Sequence, residues 1–417
     1  MAVRSSSEDR LPLYRLNAGP NWWERGARQL AFRPSNRSFV MLIFMIIIFA
    51  LVNLGSHQGL VGSSTLARFR SNIGYRISHH IDRLQNDFST ETTIVEKPPS
   101  PTPWTHQDDT IDWSQFAYCQ YATTIDYLCN SVMIYESLHR LNSSAQRLLL
   151  YNSLWDIDSP NVSNESYVSR LLLRARDEYN VVLKPVTIIQ RDGEWTWQES
   201  FTKLMAFQQT QYKRVLSLDS DATILQPMDE LFLLPSARVA APLAYWLEEP
   251  VLSSQMILIE PSNHEFEQVM AKIEARTEKD YDMEILNYLY LNSSMKIPHR
   301  NYDLLTGEFR SKDHDRYFTD KADPRLEEVR LEDREWDPER VLSEAKYVHF
   351  SDWPVPKPWM IGELEATVEP HRPDCMEGEE REDGSREEDC RDREVWMGLY
   401  EDFRDRRKNI CDALNYD

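Results

Sequence analysis

Two aspartates separated by one serine, Asp219 and Asp221, directly follow an apolar run with the character of a buried strand. Alternate residues of an extended chain point the same way, so both carboxylates can reach one hard divalent cation. A cation held there could bridge the diphosphate of a nucleotide-linked sugar and neutralise charge on the leaving group. The pair therefore predicts a metal site that serves chemistry on a phosphorylated substrate.

The same Asp-x-Asp spacing occurs three more times in this acidic chain, at 156–158, 280–282 and 313–315. Only the pair at 219–221 follows a hydrophobic strand-like run and precedes a second apolar segment. A solvated turn is the alternative for any such triplet, and the context favours metal binding at 219–221.

The elements that must position this pair alternate between short β-type runs and amphipathic helical stretches, which predicts an α/β fold with a mostly parallel sheet covered by helices. The predicted strands are 117–121, 147–151, 181–186, 214–218, 239–243, 255–260 and 346–350, and helices are predicted at 126–141, 167–178 and 263–275. Ligands of doubly wound sheets bind beyond the carboxyl ends of the strands, so chemistry is expected just after Leu218 and Phe350.

Three stretches resemble the glycogenin-like glycosyltransferases of family eight: FTKL at 201–204, YKRVLSLDSDA at 212–222 and MDELF at 228–232. The resemblance extends over about 117–359. It implies the nucleotide-sugar-binding fold called GT-A, a UDP-sugar donor and retention of anomeric configuration.

By this resemblance Asp219 and Asp221 match the family's metal-binding pair, and His349 matches its third ligand. Imidazole beside carboxylates suits Mn²⁺ better than an all-oxygen site would, with Mg²⁺ as the alternative. Lys357, in the Lys-Pro-Trp that follows, matches a lysine that contacts the diphosphate as a point charge.

Four further positions match donor-binding positions of the family. Lys203 matches a lysine that reaches the donor, although an exposed helical lysine is the ordinary reading. Asp282 matches an acid near the reacting sugar, although a first-turn acid is also favoured by the helix dipole. Thr124 and Tyr127 resemble nucleoside-binding positions, where a hydroxyl can bond ribose or base and an aromatic ring can lie against uracil.

The sequence departs from the family in two places. Ser253, Ser254 and Gln255 replace the usual Asn-Ser-Gly-type turn that faces the sugar. The insert 351–356 between His349 and Lys357 is longer than in glycogenin and resembles that of the fungal Golgi N-acetylglucosaminyltransferases of this family. Glycogenin-type self-glucosylation is therefore not expected.

An uncharged apolar run at 39–54 is just long enough to cross a thin bilayer. Arginines crowd its N-terminal flank, which predicts a single-pass type II signal anchor with a cytosolic tail at 1–38. A Pro-rich stem is predicted at 55–113, a luminal glycosyltransferase domain at 114–370, and an acidic appendage with a final helix at 371–417. Four sequons fall on the predicted luminal side, at Asn142, Asn161, Asn164 and Asn292.

The formal net charge of −21 would repel phosphate backbones and argues against nucleic-acid binding. All five cysteines follow the apolar run, and Cys375 and Cys390 are expected to form a local disulfide or to remain free. The segment 371–394 is expected to be a solvated loop, and a helix at 395–414 is expected to pack back on the domain through one apolar stripe.

The resemblance, together with the apolar run and the sequons, implies a Golgi membrane enzyme that moves N-acetylglucosamine from its uridine diphosphate donor to a glycan of a glycoprotein. A glucosyl-, galactosyl- or xylosyltransferase of the same family is an alternative. So is a membrane-tethered protein that binds glycans without turnover.

Overall fold

The computed structural model describes residues 111–155, 157, 167–192, 198–319, 335–360, 368–380 and 386–412. Within these residues no helix is both long and apolar enough to span a bilayer. The predicted anchor at 39–54, most of the predicted stem and the sequons at Asn161 and Asn164 lie outside the described residues.

A seven-stranded sheet forms the centre of the domain, with strand order β3-β2-β1-β4-β7-β6-β8. Its strands are β1 Phe116–Ala122, β2 Gln146–Asn152, β3 Val181–Val186, β4 Arg214–Leu218, β6 Val239–Pro242, β7 Met256–Ile259 and β8 Met295–Ile297. The pairings are parallel except for those of β7, which runs antiparallel to both of its neighbours. The mostly parallel α/β sheet predicted from the sequence is thereby confirmed.

Helices cover both faces of this sheet, which explains why its central strands β1, β4 and β7 are buried along almost their whole length. Tyr118 of β1 faces one core, and its neighbours Ala117 and Cys119 face the other. The α-helices are α1 Ile125–Arg140, α2 Tyr167–Tyr179, α3 Asn263–Glu274, α4 Asp282–Tyr290, α5 His299–Tyr302, α6 Asp315–Phe318, α7 Pro338–Glu344 and α8 Arg391–Cys411. The 3-10 helices are Trp113–Gln115, Ser200–Gln208, Asp229–Leu233, Thr306–Arg310 and Glu369–His371.

A second, three-stranded sheet lies at the carboxyl end of β4 and has the order β5-β10-β9. It consists of β5 Ala222–Ile224, β9 Leu304–Leu305 and β10 Tyr347–His349. Strand β10 pairs antiparallel with β5, which places His349 opposite Ala222. The predicted strand at 346–350 is confirmed as β10, whereas β5 and β9 were not predicted, because strands of two or three residues carry too little periodicity to be recognised in a sequence.

The C-terminal helix α8 packs into the core through Trp396, Leu399, Tyr400 and Phe403, the apolar stripe predicted for it. A disulfide between Cys129 of α1 and Cys411 fastens its far end. Cys375 and Cys390 also form a disulfide, as expected, and Cys119 is left unpaired and buried. Part of the segment expected to be a loop instead forms a hairpin, β11 Met376–Glu380 and β12 Arg386–Asp389.

Candidate active site

The Asp219-Ser220-Asp221 turn lies where β4 ends and β5 begins, and backbone hydrogen bonds hold it on both sides. The Asp219 N–H donates to Gln255 O at 2.9 Å, and Asp221 O accepts from Phe350 N at 2.8 Å. The Tyr347 hydroxyl donates to Asp219 O at 3.0 Å. The turn is therefore clamped between β7 and β10.

The β5–β10 ladder carries His349 to this turn. His349 Nε2 lies 3.1 Å from Asp221 Oδ1 and 3.9 Å from Asp219 Oδ2. Ligand atoms of these three residues all lie within 4.8 Å of one another. Burial lowers the pKa of His349, so its imidazole is neutral at neutral pH, as a metal ligand must be.

A divalent cation fits these three residues. His349 Nδ1 has no hydrogen-bond partner among the described residues, although the side chain is buried, and Nε2 faces the Asp221 carboxylate at 3.1 Å. Buried polar atoms are rarely left without a partner in native proteins unless a ligand, ion or water completes them. Two carboxylates with one neutral imidazole form a donor set that suits Mn²⁺.

Lys203 links the Asp219-Ser220-Asp221 turn after β4 to helix α4. Its Nζ lies 2.7 Å from Asp219 Oδ1 and 2.8 Å from Asp282 Oδ2, and it donates to Ser254 O at 3.0 Å. Burial alone would lower the pKa of Lys203, but the carboxylates of Asp219 and Asp282 outweigh it and raise the pKa. Lys203 lies in the 3-10 helix Ser200–Gln208 and is only 3% exposed, so the ordinary reading as an exposed helical lysine does not apply.

Asp282 is the first residue of α4, so the helix dipole and the ammonium group of Lys203 both act on it. Burial opposes its charge, but Lys203 holds the pKa of Asp282 below its ordinary value. The capping bond of this helix is supplied by Glu284, whose carboxylate accepts from Tyr281 N at 2.9 Å. Asp282 is therefore not needed to cap the helix.

The two aspartates of the turn differ in protonation. Burial, together with the charges of Asp221 and Asp282, raises the pKa of Asp219 to about 7. Burial also opposes the charge of Asp221, but His349 and Lys357 hold its pKa well below the ordinary range. Lys357 Nζ lies 2.5 Å from Asp221 Oδ2 and donates to Phe350 O at 2.6 Å.

The two predicted nucleoside residues lie at the start of α1, beyond the end of β1. The Thr124 hydroxyl caps the helix by accepting from Tyr127 N at 3.5 Å. The Tyr127 ring meets the edge of Trp359, with ring centroids 5.3 Å apart. Burial and then the charges of Asp221 and Asp219 raise the pKa of Tyr127, so Tyr127 lies close enough to the Asp219-Ser220-Asp221 turn to feel its charges.

Two residues of this region were not predicted. Tyr121, at the end of β1, has its pKa raised by burial and then by the charges of Asp219 and Asp282. Asp303 is fully buried, and burial raises its pKa to about 7. An aspartate just before an unrecognised two-residue strand gives no sequence signal, whereas Tyr121 could have been found as the last residue of a predicted strand.

No protein-family model matches the sequence. The chain is 52% identical over 310 residues to the protein named glucose N-acetyltransferase 1 of Gibberella zeae, an alignment that covers 73% of this chain and 64% of that relative. It is 44% identical over 335 residues to the protein of the same name of Aspergillus fumigatus, covering 76% of this chain and 82% of the relative. The crystal structure of the galactosyltransferase LgtC with donor and acceptor sugar analogs is 13% identical, has a TM-score of 0.41 and covers 61% of this chain and 94% of that chain.

Proposed function

The chain belongs to the glucose N-acetyltransferase 1 family, and on that premise we propose that it is a glycosyltransferase with a GT-A fold. It moves N-acetylglucosamine from a uridine diphosphate donor to a glycan of a glycoprotein, with retention of anomeric configuration. One observation carries the proposal. Residues far apart in sequence converge beyond the ends of β4 and β10: Lys203, Asp219, Asp221, Asp282, His349 and Lys357.

Asp219, Asp221 and His349 hold a divalent cation, Mn²⁺ or Mg²⁺, in this proposal. A cation held by these residues would supply positive charge to the diphosphate of the donor as it leaves. At neutral pH the neutral imidazole of His349 has one unprotonated ring nitrogen, and the low pKa of Asp221 leaves its carboxylate deprotonated, so both can bind a cation. The pKa of Asp219 near 7 makes cation binding compete with a proton at that residue.

Lys357 supplies a second positive charge at the same edge. Its Nζ lies against Asp221 and is partly exposed, so it can contact a diphosphate without leaving the turn. A fixed cation aimed at developing negative charge lowers the barrier more in a site shielded from water than in solution. Lys357 is therefore assigned to the leaving group.

Lys203 and Asp282 form the inner wall beside the metal turn. Both side chains are buried and held by each other, so their positions are set before any substrate binds. Asp282 is assigned to the reacting sugar, where it orients the donor or the acceptor, and Lys203 bridges Asp219 and Asp282 and keeps Asp282 ionised. Thr124 and Tyr127 are assigned to the nucleoside.

The protein is placed in the Golgi as a type II membrane protein, with the anchor at 39–54 and the domain in the lumen. Two disulfides, Cys129–Cys411 and Cys375–Cys390, support an oxidising compartment. The sequon residues Asn142 and Asn292 are exposed, as acceptors of N-glycans must be.

The test is consumption of a panel of UDP-sugars by the purified full-length chain in detergent, with Mn²⁺ or with chelator and with oligosaccharide acceptors. Chelator-sensitive use of UDP-N-acetylglucosamine, with an α-linked product by NMR, is the expected result. A preference for UDP-glucose, UDP-galactose or UDP-xylose would show that the donor is that sugar nucleotide and not UDP-N-acetylglucosamine. Failure of the folded chain to consume any donor would reject the enzyme in favour of a non-catalytic glycan-binding protein.

A further inference from the structure

The C-terminal helix α8 lies outside the segment 117–359 that resembles the family, yet one of its faces is attached beside the proposed nucleoside residues. Phe403, Arg407 and Cys411 are spaced four apart, so they lie on the same face of the helix. Each of the three is no more than 9% exposed. This set of residues is called the 403–407–411 face below.

Phe403 supports an aromatic ring of the segment that carries Lys357. Its ring centroid lies 4.9 Å from that of Phe350 and 6.3 Å from that of Trp359. Trp359 follows the proposed diphosphate lysine Lys357 by two residues, and its ring centroid lies 5.3 Å from that of Tyr127. Trp359 therefore connects Phe403 of α8 to Tyr127, the residue proposed to lie against the uracil ring.

Arg407 holds the first turn of α1, in which Tyr127 lies. Its guanidinium donates to Asp126 Oδ1 at 2.8 Å, to Asp126 O at 3.3 Å and to Asn130 Oδ1. Asp126 directly precedes Tyr127, and Asn130 is fully buried one turn later. Charge-assisted hydrogen bonds from one guanidinium fix the geometry of their acceptors. The position of Tyr127 therefore depends on α8 as well as on α1.

A disulfide fastens the same face to α1. Cys411, one turn beyond Arg407, is bonded to Cys129, which lies two residues after Tyr127. The end of α8 cannot separate from the start of α1 while this bond is intact. The 403–407–411 face therefore has three attachments, made by an aromatic ring, a guanidinium group and a disulfide.

The two segments that this face holds carry different parts of the proposed donor site. Tyr127 lies at the start of α1, whereas Lys357 and Trp359 follow β10. A donor with its base at Tyr127 and its diphosphate at Lys357 requires a fixed separation of these segments. The rings of Tyr127 and Trp359 are inclined at 66° and both are half-buried, so each keeps surface that a flat base can cover. Contacts that fix these rings before binding raise the affinity, because less ordering is left for binding to bring about.

We propose that Phe403 and Arg407 are positioning residues of the nucleoside site, which hold Trp359 and Tyr127 at a fixed separation as two walls for the uracil ring of the donor. This inference rests on the proposed function and adds two things to it. Trp359 becomes a further residue of the nucleoside site, and a helix outside the family-like segment becomes its support. Phe403 and Arg407 set the affinity for the nucleotide and take no part in acceptor binding or in the transfer step.

The test is binding of UDP with Mn²⁺ to the purified full-length chain in detergent, measured by isothermal titration calorimetry, together with the KM for UDP-N-acetylglucosamine and for the acceptor. Phe403→Leu and Arg407→Ala are each expected to raise the dissociation constant of UDP and the donor KM about threefold to tenfold, the scale of one lost contact. The acceptor KM and the turnover at saturating donor are expected to stay at wild-type values.

Arg406→Ala is the matched control, because Arg406 neighbours Arg407 on α8 but donates to Met133 O and Ser137 Oγ, farther along α1. It should lose stability, as Arg407→Ala does, and keep the UDP affinity of the wild type. Equal weakening of UDP binding in the two arginine variants would overturn the inference, because UDP affinity would then only follow stability. Unchanged UDP affinity in either Phe403→Leu or Arg407→Ala would also overturn it.

A double-mutant cycle tests whether Phe403 acts through Trp359. Trp359→Leu is expected to weaken UDP binding more than Phe403→Leu does, and Phe403→Leu should add nothing further in the Trp359→Leu background. Additive losses would show that Phe403 does not act by positioning Trp359 and would reject its role. Should Phe403→Leu not fold, Arg407→Ala against Arg406→Ala decides the inference through the first turn of α1.

UDP binding separates this inference from the proposed enzyme. If the wild-type chain binds UDP but consumes no UDP-sugar, the enzyme is rejected, and weaker UDP binding by Phe403→Leu and Arg407→Ala still supports their positioning role. If the wild-type chain consumes a UDP-sugar and the two variants bind UDP as it does, the enzyme stands and the positioning role is rejected. A wild-type chain that binds no UDP rejects both.

Discussion

Two clusters of charged residues lie close together in this domain and differ in how their charges are satisfied. At the interface of α1 and α8, Arg406 donates to Met133 O, Ser137 Oγ, Glu136 Oε2 and Thr223 Oγ1 at 2.6–3.1 Å. At the Asp219-Ser220-Asp221 turn, three carboxylates, Asp219, Asp221 and Asp282, face two ammonium groups and a neutral imidazole whose Nδ1 has no hydrogen-bond partner among the described residues.

The difference between the two clusters shows which kind of charge cluster indicates a functional site. Arg406 uses a backbone carbonyl and two hydroxyls as well as one carboxylate, so its interactions join α1, α8 and β5 into one body. The metal turn brings like charges together and leaves buried atoms unsatisfied, which costs stability unless a ligand completes it. Perturbed, incompletely paired groups in one place are typical of functional sites.

The largest expected effect is on catalysis. Asp221→Asn removes one charge from the proposed metal pair while keeping its shape, and we expect transfer to fall by at least about a hundredfold, the scale of losing one electrostatic partner of the transition state. The melting temperature should change little. Asp313→Asn, in an exposed Asp-x-Asp outside the turn, is the control. Transfer at the wild-type rate would remove Asp221 from the site.

Lys203→Met tests whether the stability of the domain depends on the buried ammonium group of Lys203 beside the Asp219-Ser220-Asp221 turn. The substitution leaves Asp219 and Asp282 facing each other without their shared ammonium group, so we expect the free energy of unfolding to fall by about 3–5 kcal/mol. Urea denaturation of the purified chain measures this loss. The exposed Lys213 provides the control Lys213→Met, with little change. Equal stability of the two variants would contradict the proposed role of Lys203.

Asp303→Asn tests the cost of a buried carboxylate near the turn. Its pKa of about 7 lies above the ordinary value of 3.8, so between about pH 4 and pH 7 the folded state binds more protons than the unfolded state. Stability contributed by this group is therefore complete below pH 4 and lost as the pH rises to 7, by up to about 4 kcal/mol.

The asparagine variant lacks this titration, so its stability relative to the wild type should rise between pH 4.5 and pH 7.5 in urea denaturation. The comparison is between the two chains at each pH, which cancels titrations that they share. Parallel pH profiles for the two chains would show that Asp303 is not the group responsible.

Arg406→Ala tests the hydrogen-bonded cluster around Arg406 at the interface of α1 and α8. Of the substitutions described, it should have the smallest effect on function. We expect a loss of about 2 kcal/mol in the free energy of unfolding, from buried acceptors left without their donor. Transfer per folded molecule should be unchanged at a temperature well below unfolding. Arg404→Ala, an exposed arginine of the same helix paired only with its neighbour Asp405, should change stability by less than about 0.5 kcal/mol. A large loss of transfer without loss of stability would erase the contrast between the two clusters.

Local patterns predicted much of the fold. The strands at 181–186 and 214–218 have the predicted bounds, and the first two helices begin and end within one residue of theirs. The strand at 346–350 was also predicted and is β10. Its pairing with β5 and β9 was not predicted, because the pairing of such short strands depends on the surrounding domain. The disulfide between Cys129 and Cys411 spans 282 residues, and no local pattern pairs two cysteines at that distance.

The sequence by itself identified the candidate residues for binding a cation and a diphosphate, through the Asp-x-Asp after a buried strand and, by resemblance to the family, through His349 and the Lys-Pro-Trp that follows it. The tertiary structure decided that these groups meet. The antiparallel pairing of β10 with β5 brings His349 to Asp221, and the 3-10 helix brings Lys203 to Asp282. The tertiary structure also decided which side chains are buried, because burial depends on which distant segments cover each side chain. Burial makes Lys203 an internal ion-pair partner and raises the pKa of Asp303, whereas Trp353 is exposed.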